Sequence, residues 1–225
     1  MVIITGASHG IGKYLFDRYT KSGESVRGTY RTRDCDQRLD KLDISSFEAV
    51  RDWVDQIKTK EMREITLINC AAINYNCFAH KADPSKWEEV IRTNLLGAFW
   101  LINCFLPIMR EQGFGRIINF SSVVAQRGVI GTSAYSASKA ALWGLAKTLA
   151  QENGGKNITI NNINLGYADI GMGIDQIAAP QRELLLKSIP ASRFCSPEEV
   201  YLTVSYLQTN GYINGTSIDL NGGMA

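Results

Sequence analysis

The amino-acid sequence predicts an α/β fold: a doubly wound parallel sheet with helices on both faces, built as a single domain. Three observations predict it. Short apolar segments rich in β-branched residues alternate with longer helical patterns along the whole chain. These segments are apolar on both faces, as strands covered by helices on each side must be. A glycine-rich turn follows the first segment and opens the first helix. The 225 residues are 45% hydrophobic and 20% charged, enough for one core of ordinary size. No linker, repeat or low-complexity stretch divides them.

The predicted strands are residues 2–5, 25–30, 65–69, 116–120, 159–164 and 217–220, with 41–43 as a further very short one. Helix starts are marked between them. Ser45 and Glu48 have the spacing of a capping box. Asp83-Pro84 supplies an N-cap and a proline at the first helical position, where its missing N–H costs nothing. Ser196-Pro197-Glu198-Glu199 does the same and adds carboxylates that complement the helix dipole. A long helical pattern runs from Tyr135 to about Asn153. The β-α order implies right-handed crossovers, with ligands bound outside the carboxyl ends of the strands.

Composition excludes several functions. The 24 basic and 22 acidic residues leave a charge of +2, so no nucleic-acid partner is expected. No run reaches 18 apolar residues, so no membrane span is expected. Met1-Val2-Ile3-Ile4 has no basic region before it, so the expected location is cytoplasmic. Cys35, Cys70, Cys77, Cys104 and Cys195 are scattered without a CxxC pair, and His9 and His80 are the only histidines. Reduced thiols and no metal centre follow.

Thr5-Gly6-Ala7-Ser8-His9-Gly10-Ile11-Gly12 is the glycine-rich turn. Gly6 permits the turn, Gly10 allows close backbone approach to a ligand, and Gly12 lets the helix pack on the strand. The helix start offers N–H groups and a positive dipole end to a pyrophosphate. The spacing resembles the short-chain dehydrogenase/reductase family, whose opening motif is Thr-Gly-x-x-x-Gly-Ile-Gly. The resemblance extends over essentially the whole chain and implies a Rossmann-type fold. On it, Gly6, Ser8, His9, Gly10, Ile11 and Gly12 bind the dinucleotide. Arg31 stands after the second strand, where an acidic residue would select NAD. Arg there, with Arg33 nearby, pairs with a 2′-phosphate and selects NADP(H). Asp43 and Ile44 correspond to the family's adenine contacts. Asn69, Cys70 and Ala71 correspond to its Asn-Asn-Ala-Gly loop.

Tyr135 and Lys139 are four residues apart in the helical pattern and share a face. Alone, such a pair is more often a surface pair than a site. Ser122, just past the strand ending at Phe120, lies at the carboxyl edge of the sheet. Together they resemble the family's Ser…Tyr-x-x-x-Lys set, with Asn94 as the fourth catalytic member. The resemblance implies carbonyl reduction. Tyr135 donates the proton, Lys139 draws its pKa from near 10 toward neutrality, Ser122 orients the carbonyl, and Asn94 holds a water of the proton relay.

The expected substrate is a 3-oxoacyl thioester, as in bacterial 3-oxoacyl-carrier-protein reductases. A keto-sugar or other ketone is the alternative, as is a non-catalytic dinucleotide sensor. Cys70 and Ala72 depart from the family's pattern, as do Leu165, in place of a proline, and Ile170, in place of a threonine. Lys156 fits a carrier-protein contact, whereas Gln112-Gly113-Phe114 lacks the other expected basic residue. Residues 167–190 are the expected substrate lid. Residues 98–101 and 140–143 lie on helices that form a dimer bundle in relatives, so a homo-oligomer, dimer or tetramer, is expected.

Overall fold

A computed structural model describes residues 1–32, 36–59, 62–174 and 179–225. The strands are β1 (Val2–Thr5), β2 (Val26–Tyr30), β3 (Leu39–Lys41), β4 (Thr66–Asn69), β5 (Gly115–Ser122), β6 (Ile158–Leu165) and β7 (Ser217–Leu220). Among the described residues they form one sheet of order β3-β2-β1-β4-β5-β6-β7. Each neighbouring pair is parallel. The helices are α1 (Gly10–Lys21), α2 (Phe47–Ile57), α3 (Pro84–Ile91), α4 (Gly97–Gln112), α5 (Val124–Arg127), α6 (Ser133–Asn153), α7 (Ala179–Ser188) and α8 (Pro197–Thr209).

Alternate strand residues face opposite layers, which is why the strands read as apolar throughout. Ile3, Leu67, Ile117 and Ile160 pack with Val50 and Trp53 of α2 and Leu101 and Phe105 of α4. Val2, Ile4, Ile68, Ile118 and Ile163 pack on the other side with Leu15 and Phe16 of α1 and Val200, Val204 and Leu207 of α8. Each fully buried aliphatic side chain contributes about 1.5–3 kcal/mol.

Several boundaries differ from expectation for identifiable reasons. The short strand is Leu39–Lys41, not 41–43. Leu39 is the apolar residue that turns inward, opposite Gly28. β5 and β6 extend past their predicted ends because they pair continuously from Gly115↔Ile158 to Ser122↔Leu165. The cap of α2 is Ser46 rather than Ser45. Asp43 Oδ1 accepts from the Ser45 N–H at 2.9 Å and its hydroxyl at 2.6 Å, so Ser46 Oγ takes the Ala49 N–H at 3.2 Å. The caps at Asp83 and Ser196 are as expected, the latter a full capping box with Glu199.

The helical stretch Pro84–Gln112 is long and apolar enough to cross a bilayer by length and composition alone. That apolarity has a place in the fold: Leu101, Ile102 and Phe105 lie in the core beneath the sheet.

Candidate active site

The glycine-rich turn leads out of β1 at the carboxyl edge of the sheet. Gly6 and Gly10 have φ of +67° and +56°. A Cβ at Gly6 would lie 2.9 Å from Ala71 Cα, and one at Gly12 would strike the Gly6 carbonyl. Thr5 Oγ1 accepts the N–H groups of Cys70 and Ala71, each at 3.1 Å, and ties the turn to the end of β4. His9 is the N-cap of α1, extended, with no capping bond from its side chain, and the first turn holds no acidic residue. The Ser8 hydroxyl bonds to His9 Nδ1 at 3.3 Å. Gly10 and Ile11 therefore present the start of α1 to a ligand, which fits a pyrophosphate.

Arg31 follows β2 and pairs at 3.7 Å with Glu89 of α3, both side chains well exposed. Arg33 and Cys35 lie outside the described residues. Asp43 holds Ser45, and Ile44 is buried, its carbonyl against the start of α4 at Gly97.

Ser122 ends β5, and Tyr135 and Lys139 stand on α6 in front of it. The Ser122 hydroxyl accepts the Val124 N–H at 3.3 Å and acts to lower the pKa of the Tyr135 phenol. Lys139 Nζ donates to the Phe120 carbonyl at 2.7 Å and lies 5.5 Å from the Tyr135 ring centre. Asn94 occupies a π-helical turn, Arg92–Leu96, between α3 and α4. Its Oδ1 accepts the Ile73 N–H at 2.8 Å, and its Nδ2 donates to the Ile73 carbonyl at 2.9 Å and to Ser138 Oγ at 3.1 Å. These bonds join the loop after β4 to α6. They explain an asparagine inside a helix, a position its propensity disfavours.

The family model for short chain dehydrogenases matches residues 1–180. The chain belongs to the short-chain dehydrogenase family. It is similar to an acetoacetyl-CoA reductase of Rhizobium meliloti (strain 1021), 36% identical over a 238-residue alignment covering 99% of this chain and 97% of the relative. It is also similar to the 3-oxoacyl-(acyl-carrier-protein) reductase FabG of Pseudomonas aeruginosa, 31% identical with 100% and 96% covered. Nodulation protein G of Azospirillum brasilense is 37% identical over 187 residues, covering 81% of this chain and 74% of that protein. The chain is thus a dehydrogenase/reductase, an oxidoreductase of the class that uses a nicotinamide dinucleotide.

Burial governs the electrostatics of Tyr135 and Lys139 in this dehydrogenase. Burial pushes the Tyr135 phenol up to about 12, against the lowering effect of Ser122. Burial likewise disfavours the Lys139 ammonium, bringing its pKa down to about 8. Its short bond goes to the Phe120 carbonyl and not to the phenol oxygen. Burial also raises the Cys70 thiol, which keeps it neutral beside Lys139.

Lys156 does not approach the site. It precedes β6, whereas Ser122 is paired with the far end of that strand. Eight residues of strand separate the two edges by about 25 Å. In the expected lid, α7 covers Ala179–Ser188, and residues 175–178 lie outside the described residues. Ile170 is extended, and Arg182 of α7 pairs with Asp169 at 2.8 Å. In the expected dimer helices Ala98, Leu101 and Leu142 are buried, while Phe99 is 37% exposed.

Sequence reasoning missed an amide ladder across the sheet. Asn69 Nδ2 donates to Asn119 Oδ1 at 2.8 Å, Asn119 Nδ2 to Asn162 Oδ1 at 3.2 Å, and Asn162 Nδ2 to Ser217 Oγ at 3.0 Å. These are register partners in β4 to β7. Asn69 Oδ1 is buried and has no hydrogen-bond partner among the described residues. The signal was present: Asn161, Asn162 and Asn164 fall within a strand otherwise read as core.

Proposed function

We propose that this enzyme reduces a ketone to a secondary alcohol with NADPH, and that its substrate is a 3-oxoacyl thioester. The observation that carries the reading is the convergence of Ser122, Tyr135 and Lys139 at the carboxyl end of β5, beside the turn that fits a pyrophosphate. The bound nicotinamide supplies the hydride. Tyr135, kept protonated by burial at neutral pH, gives its proton to the carbonyl oxygen as that becomes an alkoxide. Ser122 donates a hydrogen bond that orients the same oxygen. Lys139 holds its ammonium below the forming phenolate, and Asn94 keeps the helix carrying both in place. Gly6, Gly10, Ile11 and Gly12 hold the diphosphate, Asp43 and Ile44 the adenine side, and Arg31 the 2′-phosphate.

The rim favours an acyl substrate over a polyhydroxylated sugar. Phe78 is 57% exposed and Ile130 82%. The two loops meet where the Cys77 N–H donates to the carbonyl of Gly131, a residue between Ser122 and Tyr135 in sequence, at 2.8 Å. The names of the R. meliloti and P. aeruginosa relatives support the same class. We take residues 167–190 as the lid of a cytoplasmic enzyme that is a homo-oligomer, dimer or tetramer; elution as a monomer would overturn the oligomer.

NADPH consumption with an acetoacetyl thioester tests the reading, with NADH and Tyr135→Phe as comparisons. Turnover that needs Tyr135 and prefers NADPH is expected. Binding of NADPH without turnover on any ketone would overturn the reductase and favour a sensor.

A further inference from the structure

Trp143 lies one turn beyond Lys139 on the same face of α6. Its indole N–H is shared between Asn164 Oδ1 at 2.9 Å and Ser121 Oγ at 3.1 Å. Ser121 and Asn164 are register partners in β5 and β6, so the indole bridges two strands at once. The Ser121 hydroxyl in turn donates to the Lys139 carbonyl at 2.9 Å. Asn164 is braced from behind, its Nδ2 donating to Asp219 Oδ1 of β7 at 2.7 Å. Two successive turns of α6 are thus fastened to the strand that ends in Ser122.

The fastening matters because Lys139 depends on register. A buried ammonium is costly unless its donors are met, and here the short bond is to the Phe120 carbonyl. Phe120, Ser121 and Ser122 follow one another along β5. Phe120 meets the Lys139 ammonium and Ser121 the Lys139 carbonyl, one residue before the strand ends at Ser122. A small slide of α6 would disturb both contacts together. Apolar packing cannot prevent such a slide as a directional bond to two strands can.

We propose that Trp143 is a positioning residue for the reduction. Its indole N–H, bridging Ser121 and Asn164, fixes the helix that carries Tyr135 and Lys139 against the end of β5. The proposal rests on the catalytic reading of Tyr135 and Lys139.

The test compares Trp143→Phe, Ser121→Ala, the double variant and Tyr135→Phe. NADPH binding is titrated in each, and kcat is expressed per NADPH-binding site, so that misfolded protein does not count. Each single variant is expected to bind NADPH with unchanged affinity, keep its substrate KM and lose about tenfold in kcat per site. The double variant should be no worse than the poorer single, because both break one clamp. Wild-type kcat per site in both singles would overturn the proposal. So would effects that multiply, or a loss of NADPH binding that accounts for the lost turnover. If Trp143→Phe does not fold, Ser121→Ala decides alone by the same criterion. An inactive Tyr135→Phe beside wild-type rates in the singles removes the clamp and leaves the catalytic reading standing. A fully active Tyr135→Phe removes both.

Discussion

Gly10 and Gly171 meet backbone to backbone. A Cβ on Gly171 would lie 2.9 Å from Gly10 Cα and 3.7 Å from the Ile11 nitrogen. The root of the expected lid therefore rests on the first turn of α1, where the cofactor phosphates are proposed to bind. Gly171 also has φ of +78°. Gly171→Ala should cost about 1 kcal/mol in stability and weaken NADPH binding at least about tenfold. Thermal unfolding and cofactor titration check this; unchanged affinity would separate the lid root from the phosphate site.

Arg31 is held only loosely by Glu89, through an exposed pair of the kind worth about 0–1 kcal/mol. It is therefore available to a better anion. Arg31→Ala should lower kcat/KM for NADPH by about ten- to a hundredfold and leave NADH nearly unchanged. Equal losses with both cofactors would show that Arg31 does not read the 2′-phosphate.

Lys139 makes stability depend on pH in a defined direction. Its pKa in the folded chain, about 8, lies below the ordinary 10.5. Between those values the unfolded chain binds the extra proton, so stability rises with pH across this window. Below about pH 8 the ammonium is charged in both states and its full burial cost is present. Lys139→Met should thus stabilise the apo-protein at pH 7 and lose that advantage by pH 10. Denaturant midpoints at the two pH values measure it, and a difference independent of pH would refute the assignment.

Glu199 gives a slope of the same sign in an acidic window. The Arg193 guanidinium, with help from the Ser196 N–H, holds its carboxyl at about 2. Its contribution is complete above the ordinary 4.5 and is lost as pH falls toward 2. Glu199→Gln also breaks the capping box of α8. It should cost about 1 kcal/mol at pH 7 and progressively less below pH 4.5. A constant deficit down to pH 2 would assign the effect to the cap rather than to the charge.

Much of this molecule could be read from local sequence. The strands declare themselves by apolar runs, the phosphate turn by glycine spacing, and Asp83 and Ser196 by capping chemistry that acts within four residues. The spacing of Tyr135 and Lys139 sets their shared face through helical geometry alone. What escaped depends on distant partners. The ends of β5 and β6 that escaped are Gly115, Ser121 and Ser122 in one and Ile158 and Leu165 in the other, which are strand because they pair across the sheet. The raised Tyr135 and lowered Lys139 follow from burial, which no spacing in the chain reveals. The inward turn of the Trp143 N–H is of the same kind: the residue's place on the helix was legible, and its acceptors were not.

The amide ladder has a consequence for how this sequence can change. Replacing Asn119 by leucine would strand the Asn69 donor and the Asn162 acceptor at once, at about 1–3 kcal/mol for each orphaned group. Replacing Asn69, Asn119 and Asn162 together would orphan far less. Single steps away from the ladder are therefore penalised where the combined step is tolerated. The three positions are epistatic by construction and would drift as a unit or not at all.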